Sequence, residues 1–118
     1  MNYLFLGYAS CSTCRKAKKW LDEHQIDYKE RPIVEQNPSA AELKEWIGRS
    51  GLPVKQFFNT SGQLYRSLQL KDKLPALSEA EQIQWLASDG KLVKRPLLVG
   101  PERVWVGFKP ADWEKELK

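Results

Sequence analysis

The chain has 118 residues, of which 42% are hydrophobic and 29% are charged, and its formal net charge at pH 7 is +4. This length predicts one compact domain over residues 1–118. The charge suits a small anion or an acidic partner, but it is too weak for a nucleic-acid surface, so no direct nucleic-acid contact is expected. No apolar stretch is long enough for a membrane span or an export signal, and two cysteines are too few for a disulfide scaffold. We therefore expect a cytoplasmic protein without membrane contact.

The first half of the chain begins with a strand–helix–strand unit. The apolar run "YLFLGY" predicts a buried strand over residues 3–8 in a parallel sheet. A helix follows from about residues 12–14 to His24, with its apolar residues on one face. Residues 28–31 then predict a second strand, which Pro32 interrupts. Two strands and a helix within about thirty residues are typical of a βαβ unit.

Residues 39–88 predict a helical insert. Two capping boxes begin helices in it, Ser39 with Glu42 and Ser78 with Glu81. We expect the first helix to end at Gly48 or Gly51, and the second to span residues 78–88 and end at Gly90. Between them the sequence predicts a short helix in "LPVKQFF", a turn in "NTSGQ" and one further helical stretch.

The last part of the chain predicts a hairpin and a helix. "RPLLVG" and "RVWVGF" are two short strands that "PE" joins, and "KPADWEKELK" is a helix with Pro110 at its start. The predicted order is therefore β-α-β, a helical insert, and β-β-α.

Both cysteines lie in Cys11-Ser12-Thr13-Cys14, where the first strand ends and the first helix begins. Backbone N–H groups at a helix start lack internal partners, so a thiolate at Cys11 would accept hydrogen bonds from them. We expect its pKa to lie below the free-cysteine value of about 8.5, and Arg15 adds nearby positive charge. Cys14 is one turn further, within reach of a disulfide. The spacing predicts Cys11 as the nucleophile and Cys14 as the resolving thiol.

Two alternatives for the pair stay open. The cysteines could be two buried apolar side chains, or they could bind zinc, which needs about four ligands. The single histidine, His24, is at the far end of the helix, where we expect a partly buried structural residue without a catalytic role. The sequence has no glycine-rich phosphate loop, so neither a metal nor another cofactor is expected.

Three motifs, "CSTCRKAKKWLDEH", "KRPLLV" and "GFKPADWEKEL", occur in this order over nearly the whole chain and resemble the arsenate reductase/Spx family. The resemblance implies an α/β, thioredoxin-like fold: a four-stranded mixed sheet with a helical insert between the βαβ and ββα halves. It implies that Pro96 is a cis proline facing the cysteine loop. It also implies that Cys11 attacks a small oxyanion such as arsenate.

The resemblance further implies an oxyanion site. Arg95 matches one of three arginines that hold the oxyanion in the reductases, and Lys55 and Lys109 fall at the other two positions. Lysine keeps the charge but lacks the planar fork of arginine, so a weaker or different anion site is expected. Ser12, Thr13, Arg15 and Pro96 complete the predicted binding set.

Two functions follow from the resemblance. The first is a thiol-dependent oxidoreductase of the arsenate reductase family, with thioredoxin or glutaredoxin/glutathione as the reductant. The second is an Spx-like redox-sensing transcriptional regulator that binds the C-terminal domain of the RNA polymerase α-subunit. The regulators carry a CxxC pair, as this chain does, whereas glutathione-dependent reductases usually lack the second cysteine. The mild positive charge and the segment of residues 48–51 are compatible with the regulator.

Overall fold

A four-stranded mixed sheet forms the centre of the molecule, with the strand order β2-β1-β3-β4. The structure, a computed structural model, describes residues 3–8 and 10–117; residues 1, 2, 9 and 118 of the predicted domain lie outside the described residues. The strands are β1 (Tyr3–Gly7), β2 (Tyr28–Pro32), β3 (Leu97–Val99) and β4 (Val104–Val106). β1 is parallel to β2 and antiparallel to β3, and β3 is antiparallel to β4. The mixed sheet that the resemblance implied is confirmed. The parallel sheet expected around residues 3–8 is found on one side only, because β2 is parallel to β1 and β3 is antiparallel to it.

Six α-helices surround the sheet in the described part of the chain: α1 (Ser12–Glu23), α2 (Ala40–Ser50), α3 (Gln63–Ser67), α4 (Leu70–Lys73), α5 (Glu79–Ser88) and α6 (Pro110–Leu117). Short 3-10 turns lie at Val54–Phe57, Leu74–Ala76 and Gly90–Leu92. The predicted order of β-α-β, helical insert and β-β-α is confirmed. Within the described residues, no helix is both long enough and apolar enough to cross a membrane.

Capping residues in the sequence predicted most helix ends correctly. Both capping boxes are present, and Gly51 ends α2 in the left-handed conformation at φ 71°, while Gly48 lies inside that helix. The prediction that Gly90 ends α5 is wrong, because Asp89 is the C-cap and Gly90 opens a 3-10 turn. The further helical stretch is two short helices, because Gln69 adopts φ 56° between them.

The core has two layers, one on each face of the sheet. Neighbouring residues of a strand point to opposite faces, so Leu6 and Leu97 pack with the insert, whereas Phe5 and Leu98 pack beneath α1 and α6. Cys14 belongs to the second layer. The N-terminal turn of α1 therefore packs against apolar residues of β1, β3 and α6, and this packing positions the cysteine loop.

Candidate active site at the start of α1

The cysteine loop is shaped by backbone hydrogen bonds at the end of β1. Cys11 is the N-cap of α1, with extended dihedral angles of φ −88° and ψ 116°, and its N–H donates to the Tyr8 carbonyl at 3.0 Å. Its Sγ accepts a hydrogen bond from the Cys14 N–H at 3.3 Å. A Cβ on Gly7 would lie 2.8 Å from the Phe5 ring and 3.4 Å from Cys14 Sγ, so glycine lets the Cys14 sulfur pack against the strand. Both cysteines are free thiols in this structure.

The two sulfurs have opposite acid–base properties. Burial raises the pKa of Cys11, but hydrogen bonds from the Cys14 thiol and backbone, the Arg95 charge and the Thr13 backbone together hold it below its ordinary value. Burial and the hydrogen bond to Cys11 raise the pKa of Cys14 to about 12. Cys11 is half-buried, whereas Cys14 is 2% exposed. The geometry therefore favours a Cys11 thiolate that is hydrogen-bonded by a protonated Cys14 thiol.

An open cavity of about 450 Å³ lies beside Cys11. Three cations contribute to its walls, namely Lys94, Arg95 and Lys109, and the polar side chains among its walls come from Thr13, Asn59 and Ser61. No acidic residue is found among the described residues that line it. A cavity with cationic walls and no carboxylate favours an anionic ligand.

Arg95 carries a buried hydrogen-bond donor that has no partner among the described residues. Its guanidinium lies over the Tyr8 ring, 5.1 Å from the centroid. Its Nη1 is buried and has no hydrogen-bond partner among the described residues. A buried donor without a partner carries a desolvation cost of about 1–3 kcal/mol, which a bound anion would remove. The peptide bond between Arg95 and Pro96 is cis, as the resemblance implied, and the Pro96 carbonyl accepts the Gly107 N–H at 2.8 Å.

Of the predicted binding residues, only Thr13, Arg95 and Lys109 are part of the described lining of this cavity. Thr13 and Lys109 line it beside Cys11, and Pro96 is buried behind Arg95. Ser12 and Arg15 are exposed on α1 and are not part of its described lining.

Lys55 does not reach the cavity either. It is exposed on the 3-10 turn Val54–Phe57, outside the described lining. The third cation of the cavity is instead Lys94, next to Arg95 in "KRP".

Sequence reasoning missed several residues of this site. Asn59 and Ser61 belong to "NTSGQ", which gave only a turn signal, and they reach the cavity through the packing of the insert. Phe108 lies within the quoted motif "GFKP" and could have been identified from it. The contact of Tyr8 with Arg95 joins residues far apart in the chain, and no local pattern predicts it.

His24 is remote from this site, at the C-cap of α1. Its Nδ1 is 2.8 Å from the Trp20 carbonyl, its ring stacks on the Trp20 indole, and its Nε2 is 3.2 Å from a Glu114 carboxylate oxygen. These contacts describe a partly buried structural residue. Across the described ranges, no three or more His, Cys, Asp and Glu side chains are grouped so that they could hold a metal ion.

Known proteins share this architecture over nearly the whole chain. A solved structure of an ArsC family related protein from Bacteroides fragilis is 61% identical, with a TM-score of 0.95, covering 98% of this chain and 97% of that one. Arsenate reductase from Vibrio cholerae is 26% identical, with a TM-score of 0.86, covering 98% and 97%.

Curated relatives include both an uncharacterized protein and a regulator. YusI of Bacillus subtilis is 54% identical over 98% of both chains. The global transcriptional regulator Spx 2 of Bacillus cereus is 31% identical, covering 92% of this chain and 82% of that one. The model of the ArsC family matches residues 6–116. With the cysteine loop, the cis proline and the mixed sheet in place, the chain belongs to the ArsC family.

Proposed function

We propose that the protein is a thiol-dependent oxidoreductase that reduces a small oxyanion, with arsenate as the first candidate. The observation that carries the proposal is the contrast between the two sulfurs. Cys11 is the N-cap of α1 and lines the cationic cavity, whereas Cys14 is 2% exposed. In agreement with this, the pKa of Cys11 is lowered while that of Cys14 is raised to about 12. A low-pKa, partly accessible thiolate beside a resolving thiol is the arrangement that thiol redox chemistry needs. The similarity to arsenate reductase from Vibrio cholerae supports the choice of substrate.

The anion would bind next to Cys11, with the unpartnered Nη1 of Arg95 as its principal donor. Lys94 and Lys109 would add positive charge from the cavity walls. These cations would also stabilise the charge that develops on the oxyanion during attack.

In the proposed reaction, the Cys11 thiolate attacks arsenic(V), forming an S–As bond, and one arsenate oxygen leaves as water. Cys14 then attacks the Cys11 sulfur, which forms the disulfide and breaks the S–As bond, and the electron pair of that bond passes to arsenic. Cys14 loses its proton to solvent as it attacks. Arsenate gains two electrons and leaves as arsenite, the two thiols lose two electrons, and over the whole reaction the two thiol protons balance the water that is released. The 3.3 Å contact between Cys11 Sγ and the Cys14 N–H keeps the pair close enough for this step.

A thioredoxin or glutaredoxin/glutathione system would return the electrons, as in a cytoplasm that keeps thiols reduced. The test is arsenate-dependent consumption of NADPH by the purified protein with thioredoxin and thioredoxin reductase. We expect turnover that Cys11→Ser abolishes. Arg95→Ala should lower kcat/KM by about 10²-fold, since it removes a preorganised donor.

Lys55→Ala is the matched control, because it removes a cation outside the cavity and should change kcat/KM by less than about twofold. An equal loss in Lys55→Ala and Arg95→Ala would show that general charge, not the cavity, matters. No arsenate-dependent turnover, with a disulfide that still forms between Cys11 and Cys14, would remove arsenate as the substrate and leave the redox pair intact.

A second candidate is a redox-sensing regulator of the Spx type. The CxxC pair and the identity to Spx 2, a global transcriptional regulator, favour it. In this candidate, formation of the disulfide changes a surface that binds the C-terminal domain of the RNA polymerase α-subunit. The exposed residues Gly48 and Gly51, at the end of α2, are the segment we assign to that contact.

Capture of this purified polymerase domain by oxidised and by reduced protein separates the two candidates. Redox-dependent capture that Cys14→Ser abolishes, without arsenate turnover, would favour the regulator. Turnover without capture would favour the enzyme.

A further inference from the structure

The sheet has two outer strands, and their edges differ in chemistry. Natural sheets block an outer edge with charged residues or proline, so that no further strand pairs with it. β2 forms one edge and contains Lys29, Glu30, Arg31 and Pro32. β4 forms the other edge, and its sequence is Val-Trp-Val, without a charge or a proline. The edge of β4 therefore lacks the residues that would prevent another strand from pairing.

The ladder with β3 identifies the backbone groups on the outer side of β4. The Gly107 N–H donates to the Pro96 carbonyl at 2.8 Å, so Gly107 faces β3. Alternate residues of an antiparallel strand form hydrogen bonds on the same side, so Trp105 also faces β3. The N–H and C=O groups of Val104 and Val106 therefore point away from β3. Within residues 3–8 and 10–117, no other backbone segment is hydrogen-bonded to these four groups.

A groove of about 200 Å³ runs along this outer side of β4. Its two walls stand on opposite faces of the sheet, because Leu52 packs with one core layer and Trp113 with the other. A single extended segment can enter between the walls, whereas a second β4 edge would bring its own two walls into the same space. We call this space the edge groove, and its walls consist of Asp112, Trp113 and Glu116 from α6 and of Ser50, Leu52 and Gln56 from the end of α2 and the residues after it.

The charged groups differ between the two ends of the edge groove. At the end where β4 begins, Arg103 lies 2.8 Å from one carboxylate oxygen of Glu116, and the Trp105 Nε1 donates to the other oxygen at 2.6 Å. At the end where β4 stops, Lys109 is exposed and forms no ion pair in the described part of the chain. Asp112 lies one turn further along α6, so this end carries one charge of each sign.

The edge groove adjoins the cavity beside Cys11. Gly107 and Lys109 line both spaces. Gly107 has φ 76°, a left-handed conformation that turns the chain away from the line of β4 at this point. The cavity adds Lys94 and Arg95, and no acidic residue belongs to its described lining. A segment in the edge groove would therefore present its end residues to a cationic space.

We propose that the edge groove binds an extended segment of another protein, which pairs with β4 as an additional strand and places an acidic residue at Lys109. The outward N–H and C=O groups of Val104 and Val106 supply the main-chain hydrogen bonds, which give such complexes their affinity. Antiparallel pairing is the more stable arrangement, so the acidic residue lies on the N-terminal side of the segment. This docking goes beyond the proposed function and does not depend on any reaction of the cysteines.

Charge and the alternation of a strand define the chemistry of the partner segment. Its side chains point alternately to the two walls, so apolar residues meet Leu52 on one face and Trp113 on the other. Its acidic end meets a region where cations outnumber carboxylates, which favours acidic over basic segments.

The test is a titration of the reduced, isotope-labelled protein with the peptide acetyl-EEVTVTV-amide, followed through backbone amide resonances in NMR spectra. A second peptide, acetyl-KKVTVTV-amide, reverses the charge. Two further peptides are N-methylated, one at its valines and one at its threonines. Each removes the N–H donors on one side of the strand, so only one of the two can still pair with β4.

We expect saturable shifts at residues 104–107 and in both walls, with a Kd below about 1 mM, and no shifts in β2. One N-methylated peptide should bind at least about 10-fold more weakly and the other within about threefold of the parent, since only one side of the strand pairs with β4. The lysine peptide should bind at least about 10-fold more weakly.

Two variants of the protein test the two contacts separately. Val106→Pro removes an outward N–H but no hydrogen bond to β3, and it should raise the Kd at least about fivefold. Lys109→Gln should raise the Kd at least about threefold. Lys115→Gln is the matched control, because Lys115 is exposed on α6 outside both described linings, and it should change the Kd by less than about 1.5-fold. The N-methylated peptides test the pairing with the wild-type chain, whether or not Val106→Pro folds.

Four results would overturn the docking proposal. They are no saturable shift up to about 1 mM peptide, equal binding of the two N-methylated peptides, an equal effect of Lys109→Gln and Lys115→Gln, and shifts confined to the Cys11 cavity, which would show that the carboxylates alone bind there. A dimer of the free protein that Val106→Pro dissociates in analytical ultracentrifugation would also overturn it, because the occupant of the edge would then be a second copy. Arsenate turnover, present or absent, changes none of these readouts.

Discussion

Iodoacetamide should modify the reduced protein at Cys11 and leave Cys14 almost untouched at pH 8. Alkylation requires the thiolate, so the fraction of each cysteine that is ionised decides the outcome. Burial raises the pKa of Cys14 to about 12, and only about one Cys14 in 10⁴ is then ionised at pH 8. The pKa of Cys11 lies below its ordinary value, so Cys11 is ionised to a far greater extent than Cys14 at that pH.

The expected ratio of rates follows from these fractions. The ionised fraction of Cys14 is much smaller than that of Cys11, but a thiolate of higher pKa is intrinsically more nucleophilic, with a Brønsted coefficient of about 0.4–0.5. With this coefficient, each unit of pKa changes the nucleophilicity of the thiolate by only about threefold, whereas it changes the ionised fraction of a protonated thiol by about tenfold. We therefore expect Cys11 to react at least about 10-fold faster, and the 2% exposure of Cys14 slows its reaction further.

The assay is a time course of alkylation at pH 8, with the modified peptides quantified by mass spectrometry. In about 6 M guanidinium chloride the two cysteines should react at similar rates, which calibrates the measurement because the fold is lost. Equal rates in the native protein, or faster modification of Cys14, would refute the assignment of Cys11 as the nucleophile.

Two further predictions concern stability. Gly90→Ala should lower the free energy of unfolding by at least about 2 kcal/mol, because the added Cβ would overlap the Ile33 carbonyl group. Gly48→Ala is the matched control, because Gly48 has open space around it, and it should raise the free energy of unfolding by about 0.5–1 kcal/mol. Urea denaturation measures both values. The hydrogen bonds of Arg31 hold the pKa of Glu42 at about 2. The ionised Glu42 carboxylate therefore stabilises the folded state above about pH 4.5, and this stabilisation is lost as the pH falls towards 2. Because the Glu42 side chain is 37% exposed, we expect Glu42→Gln to destabilise the fold by only about 1 kcal/mol at pH 7, and by less at pH 3. The same destabilisation at pH 7 and at pH 3 would contradict this explanation.

The parts of the fold that were predictable are those that short-range chemistry decides. The capping boxes at Ser39 and Ser78 satisfy backbone donors within one turn, so four residues of sequence are enough to locate each helix start. The apolar runs that form β1 and β3 are likewise local. Gly90 was misassigned because its role is set by the close approach of the Ile33 backbone, which lies far away in the chain.

The candidate site was predictable only in part, for the same reason. Cys11 and Cys14 lie within one loop, and their spacing alone identifies them. The cavity walls come from four segments: the cysteine loop, residues 59–62 of the insert, residues 94–95 before β3 and residues 107–109 after β4. Only the packing of two core layers brings these segments together. Lys55 was expected in the site because the family resemblance placed it at a ligand position, whereas in this chain it is exposed on a 3-10 turn outside the described cavity lining.

The two core layers support different parts of the candidate site. The layer beneath α1 and α6 holds the sulfur pair, while Asn59 and Ser61 reach the cavity from a segment that leads out of the opposite layer. Substitutions in that segment can alter what enters the cavity without disturbing the packing and hydrogen bonds that set the pKa values of the two thiols. The cavity can therefore change, or lose its substrate, while the cysteine pair is kept. This fits a fold that is found in both reductases and regulators.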